Sequence, residues 1–309
     1  MNKRKKSVLL IFITLFFAGG LFCQELDGIN NELVLAYKNK NYSKAAQLAE
    51  KGLKIAEQSG DNQQVAAFLK NLAHIYKAQG KFSKAEGYLK RALTITEKSF
   101  GENDPKVASL LNSFGLLYQQ MGRLVEAESL FKRAMDIRRD VFGDEHPQVG
   151  VIYHNLGNIY KEQGKYDQAE YYLLRAYDII EKNNGSDHPN MIYPLDQLAY
   201  IYRIRKDYTK AESFYRRVLR IKEKTFGSEH IEVANAKNNL GALYLTQNKP
   251  EAGPLLNDAL RTAEKVLGTD HPLIANILDN LARYYKDTGN DARANQMAKR
   301  AIKIRSKSR

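Results

Sequence analysis

The sequence predicts an all-α solenoid of about seven antiparallel helix pairs, and three observations carry that prediction. Punctuation recurs at Phe100-Gly101-Glu102-Asn103-Asp104-Pro105, Phe142-Gly143-Asp144-Glu145-His146-Pro147, Asn184-Gly185-Ser186-Asp187-His188-Pro189, Phe226-Gly227-Ser228-Glu229-His230 and Leu267-Gly268-Thr269-Asp270-His271-Pro272. Glycines 101, 143, 185 and 227 stand 42 residues apart, and Gly268 follows 41 later. A fixed period in this range marks a repeat array whose units pack on their neighbours. Finally, a composition of 43% hydrophobic and 27% charged residues with 7 prolines suits a packed helical chain rather than a disordered one.

Taken in order, the chain opens with Lys3-Arg4-Lys5-Lys6 and an apolar run from Val8 to Phe22. A basic head before a short apolar core reads as a secretory signal peptide over residues 1–23; an uncleaved anchor through 8–22 is the alternative. The expected localisation is therefore exported, periplasmic or secreted, or else membrane-anchored. Cys23 is the only cysteine, so the exported body would have no disulfide and would be held by packing. The formal charge of +13, four of it in this segment, favours a possibly acidic protein or peptide partner. Export argues against nucleic acid, and membrane association is expected only through residues 1–23 or a partner.

Residues 24–62 read as a divergent N-terminal capping repeat, with Leu33, Leu35, Ala36 and Tyr37 on one helix and Leu48, Leu53 and Ile55 on the next. Six regular repeats fill 63–305. Their first helices are expected at 64–79, 106–121, 148–163, 190–205, 232–247 and 273–288, and their second helices at 82–99, 124–141, 166–183, 208–225, 250–266 and 291–305. A basic tail, 306–309, closes the chain.

The connectors have a physical reason. Each connector glycine follows the last apolar position of a helix and can take the left-handed conformation that ends it. Pro105, Pro147, Pro189 and Pro272 preset the next first turn, and the Asp or His before them lies near the cap. Inside the units, Tyr76, Tyr118, Tyr160, Tyr202, Tyr244 and Tyr285 share one register. Four residues earlier comes a large apolar side chain, as at Leu72, Phe114 and Leu156; three earlier comes a small one, as at Ala73, Gly115 and Gly157. That alternation lets two helices approach closely. The unit at 190–225 departs from the others, because Pro194 falls inside its first helix and Arg205-Lys206 replaces the turn glycine of Gly80, Gly122, Gly164 and Gly289. A bend is expected there.

The run Asn155-Leu156-Gly157-Asn158-Ile159-Tyr160, followed by Gln163-Gly164-Lys165-Tyr166-Asp167-Gln168-Ala169-Glu170, resembles the tetratricopeptide repeat signature. The longer period and the Phe-Gly-x-x-His-Pro connector resemble the 42-residue variant of kinesin light chains. The resemblance implies a right-handed superhelix whose first helices line a concave peptide-binding groove, and no chemistry.

Candidate binding residues follow from register. Five before the tyrosine stand Asn71, Ser113, Asn155, Gln197, Asn239 and Asn280, and the resemblance implies that such amides hold a bound peptide's backbone. The competing expectation is that they bond within their own hairpins. Positions that vary between units add His74, Asn158, Tyr193, Tyr200 and Arg283, with Tyr193 and Tyr200 as the aromatic anchor candidates. Six before the tyrosine, Lys70, Asn112, His154, Asp196, Asn238 and Asp279 include charges of both signs.

An enzyme is not expected, nor a metal or other cofactor. His146, His188, His230 and His271 recur at one connector position, so the repeat spaces them apart, and no glycine-rich phosphate loop appears. The function that remains is a non-catalytic exported scaffold binding a peptide or protein segment. Alternatives are an accessory module of a membrane-associated signalling or assembly system, and a structural spacer.

Overall fold

The computed structural model describes residues 25–307, so the apolar run at 8–22 lies outside the described residues. Helix α1 spans 25–38. It is followed by α2 Tyr42–Ser59, α3 Asn62–Ala78, α4 Phe82–Phe100, α5 Pro105–Gln120, α6 Leu124–Phe142, α7 Pro147–Glu162 and α8 Tyr166–Asn184. A 3-10 turn, Pro189–Met191, leads into α9 Ile192–Ile204; then come α10 Tyr208–Phe226, α11 Ile231–Thr246, α12 Ala252–Leu267, α13 Pro272–Asp287 and α14 Asp291–Lys307. No strand occurs among the described residues. The chain divides after Ile159 into two compact units, each built of stacked helical hairpins.

Odd-numbered helices from α3 onward match the expected first helices and even-numbered ones their partners, with ends within a residue or two. The differences lie at the termini: α14 runs to Lys307, through the first half of the expected tail.

The connector glycines take a different conformation from the one expected. Gly143 has φ 83° and ψ 158°, and Gly185 has φ 88° and ψ 163°. This is not left-handed helix but a mirror-extended region that only glycine enters freely. The left-handed conformation appears instead in the turns inside the hairpins. Gly80, Gly122, Gly164 and Gly289 adopt positive φ there, as do Lys40, Lys206 and Asn248 in the hairpins without that glycine. At Lys206 the neighbouring Arg205 reaches back to pair with Asp167 and Glu170, so ion pairs brace a turn that lacks its glycine.

Histidine caps the helices that follow the connectors. The Nδ1 atoms of His146, His188, His230 and His271 accept from the backbone N–H two residues on, at 3.2–3.3 Å. In the first connector the Asp104 carboxylate does the same for Lys106 at 2.7 Å. Each satisfies one of the N–H groups that a helix start leaves without a partner.

Pro194 does not fall in the interior of its helix as expected. The break comes upstream, at the 3-10 turn, so Pro194 falls in the first turn of α9, where a missing N–H costs no intrahelical bond.

Packing follows the small-residue register. Ala85, Ala127, Ala169 and Ala211 are fully buried, as are Ala92, Ala134, Ala176 and Val218 one or two turns on. A Cβ on Gly115 would stand 2.7 Å from the Phe131 ring, and one on Gly241 would stand 2.8 Å from Leu256. Backbone and side chain therefore touch where the small residues were expected to admit a neighbour.

The register tyrosines also join one hairpin to the next. Tyr118 donates to Glu86 at 3.0 Å, Tyr76 to Glu50 at 3.2 Å, and Tyr244 to Glu212 at 2.9 Å; Tyr202 donates to Glu170. In each case the carboxylate lies on the second helix of the preceding hairpin. Tyr285 breaks the series. The residue 32 before it is Gly253, which packs against Tyr284, and the Tyr285 hydroxyl meets Asn257 at 3.4 Å instead.

Candidate functional site

The candidate binding residues all lie on first helices, and each unit holds its own set. In the first unit, α3 carries Asn71 and His74, both half-buried. Burial, and then the Lys77 and Lys70 charges, push the His74 imidazole down to about 4 by disfavouring a second proton. Burial likewise lowers the Lys77 ammonium. On α5, Ser113 is buried and its hydroxyl donates to the Ser109 carbonyl at 3.1 Å. On α7, Asn155 is buried and its side-chain amide donates to Asn112 Oδ1 at 2.7 Å. Asn158 Nδ2 lies 3.2 Å from His154 Nε2, and its Oδ1 is buried without a hydrogen-bond partner.

In the second unit, Asn280 of α13 donates to Asn238 Oδ1 of α11 at 2.8 Å, and Asn239 of α11 faces the Asp196 carboxylate of α9. Together with Asn155 and Asn112, these pairs show one pattern. A residue five before its tyrosine meets the residue six before the tyrosine of the preceding unit, so the rungs run between successive first helices and not within a hairpin. Gln197 departs from it, accepting from Lys161 of α7. Asn71 has no such rung. Arg283 is 56% exposed and stands 3.6 Å from Asp287.

The irregular unit holds a polar cavity of about 300 Å³, lined by Lys161, Asp196, Gln197, Tyr200, Arg203 and Asn239 among others. Burial raises Asp196 above the usual carboxylate range, against the opposing charge of Lys222, and its Oδ1 has no hydrogen-bond partner. Burial lowers the Lys161 ammonium, although Glu162 partly offsets it. Tyr215, in the cavity wall, is pushed up to about 12 chiefly by burial. Tyr200 sits at the edge with the Arg203 guanidinium 5.2 Å and the Lys161 ammonium 5.9 Å from its ring centre. Tyr193, two turns earlier, is 66% exposed. The cavity thus offers an acceptor, two cations, amides and an aromatic face to one ligand segment.

Register reasoning placed Tyr193, Tyr200, Gln197 and Asn239 on one pair of helices and left Lys161 and Arg203 unremarked. The signal that finds them is the step beside the tyrosine: Lys161 and Arg203 each follow their register tyrosine by one residue. Among the described residues no group of three His, Cys, Asp or Glu side chains is disposed to hold a metal ion, and no helix is long and apolar enough to cross a membrane.

Comparison with known proteins agrees with this architecture. The tetratricopeptide repeat family matches residues 30–98, 106–182, 190–252 and 250–307. Among solved structures, putative kinesin light chain repeats from Podosopora anserina are 25% identical, with a TM-score of 0.58 over 67% of this chain and 98% of that one. The apo form of RapI is 18% identical, with a TM-score of 0.67 over 92% of this chain and 98% of the other. A Rap protein complexed with Competence and Sporulation Factor is 18% identical, with a TM-score of 0.62 over 92% and 75%. No curated protein matches the sequence.

Proposed function

The chain belongs to the tetratricopeptide repeat family, and from that premise we propose that it is a non-catalytic scaffold that holds a peptide or protein segment along its first helices. Proteins of this family are generally interaction scaffolds, and the fold is suited to protein binding. The observation that carries the reading is the cavity at Tyr200. It combines a hydroxyl-bearing aromatic ring, two cations and an Asp196 oxygen without a hydrogen-bond partner, on the unit whose connector and turn depart most from the repeat. A segment crossing it would bury the Tyr193 and Tyr200 rings and complete the open acceptor. A Rap protein of similar fold is itself complexed with Competence and Sporulation Factor, which is consistent with a fold that holds a partner.

The scaffold is proposed to act outside the cytoplasm. The basic head and apolar run of residues 1–23 support export, and sequencing the N-terminus of the native protein tests it: a start near Gln24 agrees, whereas an intact Met1 in the membrane fraction favours the anchored form.

Selection from a random peptide library on the full chain tests the binding reading. Selected peptides should lose about tenfold or more in affinity when Tyr193→Ala and Tyr200→Ala are combined, the size expected of an aromatic anchor pair. A library that yields no binder, or binders indifferent to both changes, would contradict it.

A further inference from the structure

One seam between hairpins lacks the cations that close its counterparts. Where α4 meets α5, Glu86 accepts from Tyr118 at 3.0 Å and from Lys90 at 2.7 Å, and the Arg123 guanidinium stands 3.7 Å away. Where α10 meets α11, Glu212 accepts from Tyr244 at 2.9 Å, from Arg216 at 2.8 Å and from Lys249 at 2.7 Å. The seam between α2 and α3 repeats only the first of these bonds. Glu50 accepts from Tyr76 at 3.2 Å and, among the described residues, pairs with no cation. Lys81 holds the place of Arg123 and Lys249, five residues past the register tyrosine. Its ammonium nevertheless lies over the Tyr76 ring, 5.8 Å from the centre, with that of Lys84 at 5.3 Å.

A cavity of about 560 Å³ opens at this seam. Helix α2 and the turns that follow α1 and α3 line it, and neither Asn71 nor His74 takes part. Glu50, Lys40, Lys81, Asn41, Gln47 and Gln79 present their side chains there. Asn41 caps α2 through its side-chain oxygen, which accepts from the Lys44 N–H at 3.1 Å and leaves the amide nitrogen to donate elsewhere. Beyond Ala46 and the rings of Tyr42 and Tyr76, the lining is polar. An aliphatic group therefore finds no pocket to fill.

The charges narrow the ligand further. Lys40, Lys81 and Lys84 repel a cation, and Glu50 repels a bare anion. A hydroxyl suits both, because it donates to a carboxylate while accepting from an ammonium or an amide. The excess of lysine over glutamate favours a ligand that also carries a negative charge.

We propose that this cavity binds one uronic-acid unit of an acidic saccharide, its carboxylate on Lys40 and Lys81 and its ring hydroxyls on Glu50, Gln47 and Gln79. None of these residues lines the Tyr200 cavity, so the proposal is independent of the peptide-binding reading.

The test is a titration of the full chain with fluorescently labelled tetragalacturonate. One control is its methyl ester, which keeps the hydroxyls and loses the charge; the other is tetraglutamate, which keeps the charge and loses the hydroxyls. Tetragalacturonate should bind at least about tenfold more tightly than either and weaken as salt is raised. Lys40→Asn with Lys81→Ala should remove about tenfold or more of that affinity, asparagine being chosen because position 40 has φ 57°. Lys40→Arg with Lys81→Arg should retain most of it. Glu50→Gln should weaken binding by about threefold or more although it deletes a repelling charge, whereas at a site for a bare anion it would tighten binding. Circular dichroism of each variant establishes that it is folded.

Equal affinity for the methyl ester or for tetraglutamate would overturn the proposal. So would unchanged affinity in the folded Lys40→Asn and Lys81→Ala variant, unchanged or tighter binding by Glu50→Gln, or no saturable binding below about 10 mM. If tetragalacturonate fails while library peptides bind at Tyr200, this proposal falls and the peptide-binding reading stands.

Discussion

Tyr244 on α11 donates its phenol hydrogen to Glu212 on α10 at 2.9 Å, tying the first helix of one hairpin to the second helix of the hairpin before it. Glu212 also accepts from Lys249 at 2.7 Å and Arg216 at 2.8 Å, and the Lys249 ammonium lies 5.0 Å from the centre of the Tyr244 ring. Tyr118, Glu86 and Arg123 make a similar cluster in the first unit. The array is therefore held between hairpins by a repeated polar cluster as well as by apolar packing.

The Glu212 cluster predicts an acid-sensitive term. Burial alone would raise this carboxyl, but hydrogen bonds from Lys249, Arg216 and Tyr244 outweigh it and hold the group at about 2. A folded-state value below the unfolded one contributes stability above the unfolded pKa that is lost as pH falls toward 2. Thermal melts from pH 5 to pH 2 should show a smaller acid-induced drop for Glu212→Gln than for the wild type, and an equal drop would contradict the assignment. Tyr244→Phe should cost about 1.5–3 kcal/mol at neutral pH, as one hydrogen bond to a charged acceptor is lost.

The mirror-extended connectors predict an asymmetry among glycines. Gly143→Ala should destabilise by about 1–3 kcal/mol, because ψ near 158° at positive φ is costly for any residue with a Cβ. Gly164→Asn, in a left-handed turn, should cost well under that, since asparagine tolerates this region and Asn248 occupies it already. Denaturant unfolding of the two variants measures the difference; equal costs would refute the distinction.

Much of this was legible in the chain. The 42-residue step located hairpins, connectors, caps and the buried alanines, because those roles depend on neighbours within a few residues. The polar clusters were not legible for the opposite reason. Glu86, Glu128, Glu170 and Glu212 repeat at the same step as the tyrosines, yet a glutamate on an amphipathic helix reads equally well as a solvated charge. The rungs from Asn155 to Asn112 and from Asn280 to Asn238 join residues 43 and 42 positions apart, and an amide does not announce whether its partner is a neighbouring helix or a ligand. The ψ of the connector glycines was hidden as well, since glycine in sequence signals positive φ without choosing between two regions that allow it.

The histidine caps predict a simple rescue. His230→Ala should cost about 0.5–2 kcal/mol by leaving the Glu232 N–H unanswered, whereas His230→Asn should restore most of the loss. Chemical denaturation midpoints decide it, and an alanine variant as stable as the wild type would show that the Nδ1 contact contributes nothing.

The asparagine rungs predict a stability cost as well as any binding role. Asn280→Ala should lower stability by about 1 kcal/mol even without a partner, because Asn238 loses its donor at 2.8 Å. Unchanged melting would mean that the rung is incidental.

Hydrogen exchange on the full chain, with and without a library-selected peptide, tests the central claim most directly. A segment held along the first helices should slow exchange on α9 and α11 around Tyr200 and Asn239, and the slowing should disappear in the Tyr193→Ala and Tyr200→Ala variant. Protection confined to α8, α10 or α12 would contradict it, placing the ligand on the second helices instead.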